Sequence, residues 1–323
     1  HVVLGGELGA AEAFIRGYWV CDNLVDLVRI FCRNPGVSAA VDRGLARLAG
    51  PLHRLAHRLR RNTMRGSRRN IAAHYDLGNE FFARFLDDTM TYSCGIFERP
   101  ESSLEEASTA KYERICRKLA LGPEDHVLEI GCGWGGFALH AAGRYGCRVT
   151  TTTISREQHA FAARRVREAG LSDRVKLLTQ DYRDLSGRFE KLVTIEMIEA
   201  VGHRYYDTFF RRCSDLLTAD GEMLLQAIVL PDDRYSRYLR SVDFIQRHVF
   251  PGGCLPSVGA MAASVDRATD LRILDVEEIG PHYARTLAHW RERYLARLPE
   301  VRALGHSERF LRLWDYYLAY CQA

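Results

Sequence analysis

The sequence of 323 residues has no apolar run that approaches the roughly 18 residues of a membrane-spanning helix. It also lacks internal repeats and low-complexity tracts, so solenoid and fibrous architectures are not expected. Its nine cysteines are scattered, odd in number and without a CxxC pair. We therefore expect neither a disulfide framework nor a metal site, and reduced thiols in a cytoplasm are the simplest interpretation.

The chain also lacks the two common nucleotide-binding patterns. Its glycine-rich cluster, Glu129 to Gly136, has the G-x-G-x-G spacing of Gly131, Gly133 and Gly135, whereas the dinucleotide fingerprint is G-x-G-x-x-G. The Lys-Ser or Lys-Thr pair of a phosphate loop is absent from it. The cluster follows a predicted strand and opens a predicted helix, which is where ligands bind in doubly wound sheets. It suits S-adenosylmethionine (SAM), whose charged groups are compact and need no phosphate cradle. A turn of purely structural value is the alternative.

The net charge is only +4, but positive charge is concentrated in one segment. Residues 43–69 contain nine arginines and two histidines, and the leucines there follow the 3,4,3,4 spacing of an amphipathic helix (Leu45, Leu48, Leu52, Leu55 and Leu59). One interpretation is a helix docked on the protein with a solvated basic face. The other is attraction to anionic lipid head groups. Nucleic acid is not expected as a partner, because no aromatic residues are interleaved for base stacking.

The chain divides into three predicted regions. Residues 1–40 begin with a strand-like Val2-Val3-Leu4 and continue as an apolar-periodic stretch to Phe31, which indicates a small helical domain. Residues 41–70 are predicted to be the basic helix and a polar linker. Residues 71–323 are predicted to be the catalytic domain, with an α/β fold.

Strands and helices alternate in the third region. Ser102 and Glu105 form a predicted capping box that opens a helix, and Gly122-Pro123 ends it. The pattern then predicts strands at 126–130, 147–153, 175–178 and 192–195, with helices at 135–145 and 155–169. Alternation with short connections indicates a Rossmann-like fold with a parallel sheet and helices on both faces. After residue 230 the pattern is helical, interrupted by a loop at 250–256.

Two further strand ends carry residues that suit a SAM pocket. Thr153 and Gln158 follow the second strand, where Rossmann-like enzymes hold a ribose, although Gln158 and Ser155 could instead form a capping box. Asp181 and Tyr182 follow the third strand and could flank an adenine, with a solvated loop as the alternative. Three such sites in order at three strand ends indicate SAM more strongly than any one of them.

Six segments also carry a resemblance to a known family: residues 70–79 (NIAAHYDLGN), 90–94 (MTYSC), 129–136 (EIGCGWGG), 181–185 (DYRDL), 199–202 (EAVG) and 250–257 (FPGGCLPS). They resemble the cyclopropane fatty-acid synthases, SAM-dependent methyltransferases of unsaturated acyl chains. The resemblance covers essentially the whole chain and implies acyl-binding helical insertions in the catalytic domain. Residues 9–31 are similar to the N-terminal domain of the members that act on phospholipids, which implies a phospholipid substrate. It also implies further segments at both ends of the chain.

The chemistry of that family explains the residues it needs. Methyl transfer from a sulfonium to an alkene leaves a carbocation, and ring closure then requires a base close to the added methyl group. Such a site should exclude water and offer aromatic faces to the cation. The resemblance implies that the base is a bound bicarbonate. Carried over position by position, its ligands are Cys94, Glu199, Ile228 and Tyr283, and Tyr92-Ser93-Cys94 also contacts the cofactor.

One position departs from the family's pattern. Gln226 stands where many members have a bicarbonate-binding histidine. Its amide can still donate a hydrogen bond, but it can neither become a cation nor relay a proton. We expect anion binding to survive and the product to be a cyclopropane. A methyl or methylene branch is the alternative if the proton is lost elsewhere.

The resemblance and the basic segment together predict a cytoplasmic protein at the inner face of the membrane. A small-amine N-methyltransferase is disfavoured by the retained Cys94, Glu199 and Tyr283. A SAM- or lipid-binding scaffold without turnover is disfavoured by the intact glycine loop. A homodimer is compatible with the sequence.

Overall fold

The computed structural model describes residues 2–34, residue 36 and residues 77–323 of the chain. The basic segment 43–69 and most of the 70–79 motif lie outside the described residues, so the predictions made on them stay predictions. Within the described ranges, no helix combines the length and the apolar character that crossing a lipid bilayer requires.

A parallel sheet of five strands forms the centre of the α/β region. In space the strands follow the order β3-β2-β1-β4-β5, and every neighbouring pair runs parallel. Their bounds are β1 (His126–Ile130), β2 (Arg148–Thr152), β3 (Val175–Leu178), β4 (Phe189–Ile195) and β5 (Leu217–Gln226). This confirms the predicted Rossmann-like sheet. Because the order reverses between β1 and β4, the carboxyl ends of these two strands flank the crevice in which such folds bind ligands.

Helices precede the sheet, cover it and follow it. Their bounds are α1 (Val2–Ile15), α2 (Leu24–Arg33), α3 (Asn79–Ala83), α4 (Leu104–Lys118), α5 (Gly136–Tyr145), α6 (Arg156–Glu168), α7 (Tyr206–Leu216), α8 (Asp232–Tyr238), α9 (Phe244–His248), α10 (Val258–Ala268), α11 (Gly280–Ala296), α12 (Leu298–Ala303) and α13 (Glu308–Gln322). Short 3₁₀ turns lie at 182–184, 198–200 and 203–205. The helices at 136–145 and 156–168 and the helical pattern after residue 230 confirm the sequence predictions.

The start of α4 lies one residue later than predicted. Ser103 is the N-cap: its hydroxyl accepts the Glu106 N–H at 3.1 Å, and the Glu106 carboxylate accepts the Ser103 N–H at 2.8 Å. The predicted pair Ser102 and Glu105 does not form the capping box. Ser102 instead accepts the N–H of Arg99 at 3.3 Å and closes the preceding turn, which leaves the cap to its neighbour.

An aromatic cluster joins the C-terminal helices to the first helix of the α/β region. α11 and α13 pack side by side, and their rings meet those in and just after α3 (Phe81, Phe82, Phe85, Trp290, Tyr294 and Trp314). The rings of Phe81 and Trp314, for example, meet edge to face at 4.9 Å. Burying each such side chain stabilises the fold by about 1.5–3 kcal/mol. The cluster thereby fixes α11, which carries Tyr283 to the carboxyl edge of the sheet.

The two N-terminal helices pack on α13 and share this apolar core. Arg312 of α13 donates hydrogen bonds to the carbonyl oxygens of Phe14 and Trp19, at 2.6 and 2.7 Å. The predicted strand-like start at Val2-Val3-Leu4 is wrong, because these residues open α1. The β preference of such residues is weak and depends on context, and the helix is held by the packing of its later turns against α13.

Candidate active site

The candidate site lies at the carboxyl ends of β1, β4 and β5. The glycine loop follows β1, Glu196 follows β4, and Gln226 is the last residue of β5. The loop and the β4 end touch directly, because a Cβ atom at Gly131 would lie 3.3 Å from Cγ of Met197. This is the switch point of the sheet, where a ligand would meet residues from neighbouring strands.

The glycine loop has a backbone that glycine alone accommodates easily. Gly131, Gly133 and Gly135 have φ values of 98°, 49° and 88°. A Cβ at Gly135 would lie 3.1 Å from Cβ of Ala162, whereas one at Gly133 would meet nothing within 4 Å among the described residues beyond its chain neighbours. Packing therefore explains Gly131 and Gly135. Gly133 borders open space beside the loop, which is compatible with a bound ligand such as SAM.

Glu129 lies buried on β1, directly before this loop. Its Oε2 accepts a hydrogen bond from Thr151 Oγ1 at 2.5 Å, because the strand register places the two residues side by side. Burial raises the pKa of the Glu129 carboxyl to about 7. A carboxylate in this position can accept hydrogen bonds from a ligand above the loop.

The other predicted cofactor residues at strand ends lie at the same edge of the sheet. Thr153 and Gln158 hydrogen-bond each other, with 2.9 Å between Oγ1 and Oε1. Ser155 caps α6 by accepting the N–H of Gln158, so only the Ser155 half of the alternative capping box is observed. Asp181 holds the guanidinium of Arg183 through two hydrogen bonds, from Nε at 2.7 Å and Nη2 at 2.8 Å.

Tyr182 is buried against Phe209, with ring centroids 5.4 Å apart in an edge-to-face contact. The capping-box alternative is thus realised in its Ser155 half only. The solvated-loop alternative for Asp181 and Tyr182 is wrong, because both side chains are buried. Their roles toward the cofactor stay predictions.

The side chain of Glu196 accepts hydrogen bonds from three other residues of the site. Its Oε1 accepts the N–H of Cys94 at 2.8 Å and the Gln226 amide at 2.9 Å. Its Oε2 accepts the hydroxyl of Tyr283 at 2.7 Å. The structure therefore brings three of the predicted catalytic residues, Cys94, Gln226 and Tyr283, around one carboxylate. Burial raises the pKa of Glu196, and these three hydrogen bonds oppose that rise.

Cys94 contributes its backbone here rather than its thiol. The Sγ atom lies 3.3 Å from the Gly95 carbonyl oxygen and 3.8 Å from that of Ile279. Burial, reinforced by the charge of Glu196, raises the pKa of the thiol to about 12. The side chain is therefore a neutral thiol at physiological pH and not a nucleophile.

Glu199 and Ile228 form a hydrogen-bonded pair close to Glu196. Glu199 Oε1 accepts the N–H of Ile228 at 2.6 Å, and the Glu199 carbonyl accepts the N–H of Cys254 in the 250–257 loop at 2.8 Å. Glu199 Oε2 is buried with no hydrogen-bond partner among the described residues. Burial, and then the charge of Glu196, raise the pKa of the Glu199 carboxyl to about 8.

A buried lysine supplies positive charge beneath these carboxylates. Lys111 projects from α4, its Nζ donates to Ser93 Oγ at 2.6 Å and it lies 4.5 Å from the centroid of the Tyr112 ring. Burial lowers the pKa of Lys111 to about 8, against the opposing charges of Glu196 and other acidic groups. Ser93, predicted to contact the cofactor, is thus the partner of this ammonium group.

Aromatic side chains line the site above the carboxylates. The hydroxyls of Tyr92 and Tyr317 lie 2.8 Å apart, and the Tyr92 and Trp290 rings are 5.1 Å apart. The Tyr283 ring stands perpendicular to Trp290 at 6.2 Å. This arrangement places aromatic faces near the carboxylates, as the expected cationic intermediate would need.

Comparison with known proteins places the chain in a family. A model of the mycolic acid cyclopropane synthetase family matches residues 62–323. The chain belongs to this family. It is 38% identical to the tuberculostearic acid methyltransferase of Mycobacterium tuberculosis over 98% of this chain and 75% of that protein. It is also 38% identical to the cyclopropane-fatty-acyl-phospholipid synthase of Escherichia coli K12 over 99% of this chain and 80% of that one.

A solved structure gives the same assignment. A mycolic acid cyclopropane synthase in complex with SAH and CTAB shares 33% identity and a TM-score of 0.73, over 79% of this chain and 92% of that one. The protein is therefore a SAM-dependent methyltransferase of a family whose members cyclopropanate or methyl-branch unsaturated lipid chains.

The resemblance implies a bound bicarbonate, but the residues of this site do not offer free hydrogen-bond donors to it. Three of the groups that would hold it, the Cys94 N–H, the Gln226 amide and the Tyr283 hydroxyl, already donate to the Glu196 carboxylate. The Ile228 N–H already donates to Glu199. An anion added there would meet a carboxylate of the same charge instead of free donors.

Sequence reasoning missed two charged residues of the site. Glu196 had a usable signal, because it directly follows the predicted strand 192–195, where ligand-facing residues lie in such sheets. Lys111 had a weaker one: it stands four residues after Ala107 and four before Ile115, on the buried face of α4. A lysine on the buried face of a helix can also extend its ammonium group to solvent. The sequence therefore does not predict a buried charge at Lys111 unless the neighbouring carboxylates are known.

Proposed function

We propose that this protein transfers the methyl group of SAM to the double bond of an unsaturated acyl chain of a phospholipid, and that a cyclopropane ring is its main product. The observation that carries the proposal is the carboxylate site beside the glycine loop: the Tyr283 hydroxyl donates to Glu196, and the Tyr283 ring packs against Trp290. The Escherichia coli relative is named as a phospholipid enzyme, and the match to it includes the N-terminal region.

SAM supplies an electrophilic methyl group when it is bound. On the proposal, the backbone of the glycine loop and the buried carboxyl of Glu129 hold it at the end of β1, with Tyr92, Ser93, Thr153, Gln158, Asp181 and Tyr182 as the further predicted contacts. The loop leaves room for it at Gly133. Each of these assignments rests on position at the sheet edge and on the family resemblance.

The rest of the site suits a reaction that passes through a cation. Attack by the alkene leaves positive charge on the neighbouring carbon of the acyl chain. Aromatic faces such as those of Tyr283 and Trp290 attract a cation by about 2 kcal/mol when water is excluded. The surrounding apolar core keeps water, a competing nucleophile, away from that carbon. Loss of a proton from the added methyl group then closes the ring.

A methyl or methylene branch is the second candidate product. It is favoured by Gln226, which cannot relay a proton, and by the relative named tuberculostearic acid methyltransferase. In that case the proton leaves from another carbon and no ring forms. Both candidates share the same methyl transfer to the double bond.

The phospholipid must reach the site from a membrane. The segment 43–69 carries nine arginines and is the proposed contact with an anionic lipid surface at the inner face of the membrane. A peripheral, salt-sensitive attachment is expected from such a segment.

Incubation with SAM and oleoyl phospholipid vesicles tests the function. Ring formation and branching each change the lipid mass, but only the ring gives cyclopropyl protons by NMR and resists mild hydrogenation of alkenes. Vesicles of a saturated phospholipid are the matched control and should accept no methyl group. Failure to transfer labelled methyl groups to the oleoyl chain would refute the proposal.

A further inference from the structure

The side chain of Glu196 occupies the place where the resemblance puts a bound anion. We propose that Glu196 is a built-in base, which removes the proton from the methyl group added to the acyl chain. This inference rests on the proposed function and names the group that completes the reaction. It replaces an external anion by a side chain of this chain.

The first argument is the hydrogen bonding of the carboxylate. An ionised carboxylate has about four sites for accepting hydrogen bonds. Two on Oε1 are used by the Cys94 N–H and the Gln226 amide, and one on Oε2 is used by the Tyr283 hydroxyl. One site on Oε2 stays available for a proton. The three donors fix the group in orientation, as a catalytic base requires.

The second argument is the backbone conformation of Glu196. Its φ is 48°, in the left-handed region that favours glycine. For a side chain other than glycine, this conformation costs about 1–2 kcal/mol. Such strain persists where the surroundings hold it in place, often at functional sites. The left-handed turn directs the glutamate side chain from the end of β4 toward Cys94 and Tyr283.

The third argument is electrostatic. The charged and titratable groups that face Glu196 are Lys111 from α4, Cys94 from the preceding loop, Tyr283 from α11 and Glu199 from its own turn. Lys111 and the hydrogen bonds favour the ionised form, whereas burial makes it a stronger base than an exposed glutamate. Gln226 suits this arrangement, because its amide is neutral. It donates a hydrogen bond to Glu196 without neutralising the negative charge of the carboxylate.

The step balances within the site. The electron pair of one C–H bond of the added methyl group forms the second ring bond to the cationic carbon, and the proton passes to Oε2 of Glu196. Glu196 then returns the proton to water after the lipid leaves. No oxidant or further reactant is needed.

The test compares Glu196→Gln and Glu196→Gly with Glu190→Gln. Glu190 lies on the same strand β4 and accepts the His126 N–H at 2.9 Å, far from the reacting groups, so its variant is the matched control. We expect Glu196→Gln to lower turnover by about 10²–10⁴-fold, with SAM affinity unchanged within about threefold. The wild-type rate should fall as the pH falls through the raised pKa of Glu196, and the residual rate of Glu196→Gln should lack that dependence.

Glu196→Gly provides the sharper measurement. It should fold, because glycine accepts a φ of 48° without strain, and circular dichroism checks this. It leaves the Cys94, Gln226 and Tyr283 donors free for an added anion. In buffer depleted of CO₂ we expect it to be as slow as Glu196→Gln. Sodium bicarbonate or sodium formate should then raise its rate about tenfold or more, within the range of general-base effects. The wild-type rate should not respond to either salt.

Two results would overturn the inference alone: a wild-type enzyme that needs bicarbonate, or a Glu196→Gln enzyme as fast as Glu190→Gln. If the wild-type protein transfers no methyl group to any acyl chain, the proposed function fails first and the inference with it. Methyl transfer by the wild type together with full activity of Glu196→Gln would leave the proposed function standing.

Discussion

Replacing Glu199 by glutamine should change how the stability of the protein depends on pH. Glu199 Oε2 is buried and has no hydrogen-bond partner among the described residues. Burial and the charge of Glu196 raise the pKa of its carboxyl from the ordinary 4.5 to about 8. Since each pKa unit corresponds to about 1.4 kcal/mol, ionising this carboxyl costs about 5 kcal/mol more in the folded protein than in the unfolded chain.

A carboxyl whose pKa is raised by folding binds more protons in the folded state. Its contribution to the free energy of unfolding is therefore complete below pH 4.5 and is lost as the pH rises through about 8. Glutamine does not ionise, and its amide oxygen can still accept the N–H of Ile228, as Glu199 Oε1 does at 2.6 Å. We expect the two proteins to differ by about 1 kcal/mol or less near pH 5. Near pH 9 the variant should be more stable by up to about 5 kcal/mol.

Urea unfolding followed by tryptophan fluorescence, at a series of pH values from about 5 to 9, measures this difference. Glu190→Gln, a carboxylate removed from the same stretch of chain, provides the baseline. The reasoning predicts that the curves for wild type and Glu199→Gln diverge between pH 5 and pH 8. Curves that stay parallel across that range would show that Glu199 is not held in low-dielectric surroundings.

Two further changes probe the glycine loop and the membrane contact. In Gly136→Ala, the new Cβ would lie 2.5 Å from the Tyr112 hydroxyl oxygen, so we expect thermal unfolding to show a loss of about 1–3 kcal/mol, partly recovered by adding Tyr112→Phe. An alanine variant as stable as wild type would contradict that packing. Neutralising Arg58, Arg60 and Arg61 together should weaken binding to anionic vesicles in a sedimentation assay, and high salt should weaken the wild-type binding in the same way. Salt-independent binding would argue against a lipid contact there.

Much of the fold could be predicted from the sequence because its signals are local. The strands at 126–130 and 175–178 and the Ser155 cap of α6 depend on residues within a few positions of each other. Even so, the cap of α4 lies one residue later than predicted, since the Ser102 hydroxyl accepts the backbone N–H of Arg99 and leaves the cap to Ser103. Local sequence patterns thus predict which helices and strands form, while the residues at which they begin and end depend on individual contacts.

The candidate site depends on contacts that no local pattern contains. Cys94 and Glu196 are 102 positions apart, and Tyr283 is 87 positions from Glu196. The resemblance identified Cys94, Gln226 and Tyr283, but it could not identify Glu196. Sequence alone does not show that three predicted ligands point their donors at one carboxylate. The burial that raises the pKa of that carboxylate is likewise a property of the packed structure.

Two adjacent tyrosines of α13 face different parts of the molecule. The ring of Tyr316 lies 5.6 Å from that of Phe14 in α1, whereas the hydroxyl of Tyr317 meets Tyr92 in the aromatic lining of the site. The single helix α13 thus packs against the N-terminal helices and also contributes to the lining of the candidate site. We therefore expect changes in the packing of the two N-terminal helices on α13 to shift Tyr317 in the aromatic lining as well, so that the N-terminal helices and the site are mechanically linked.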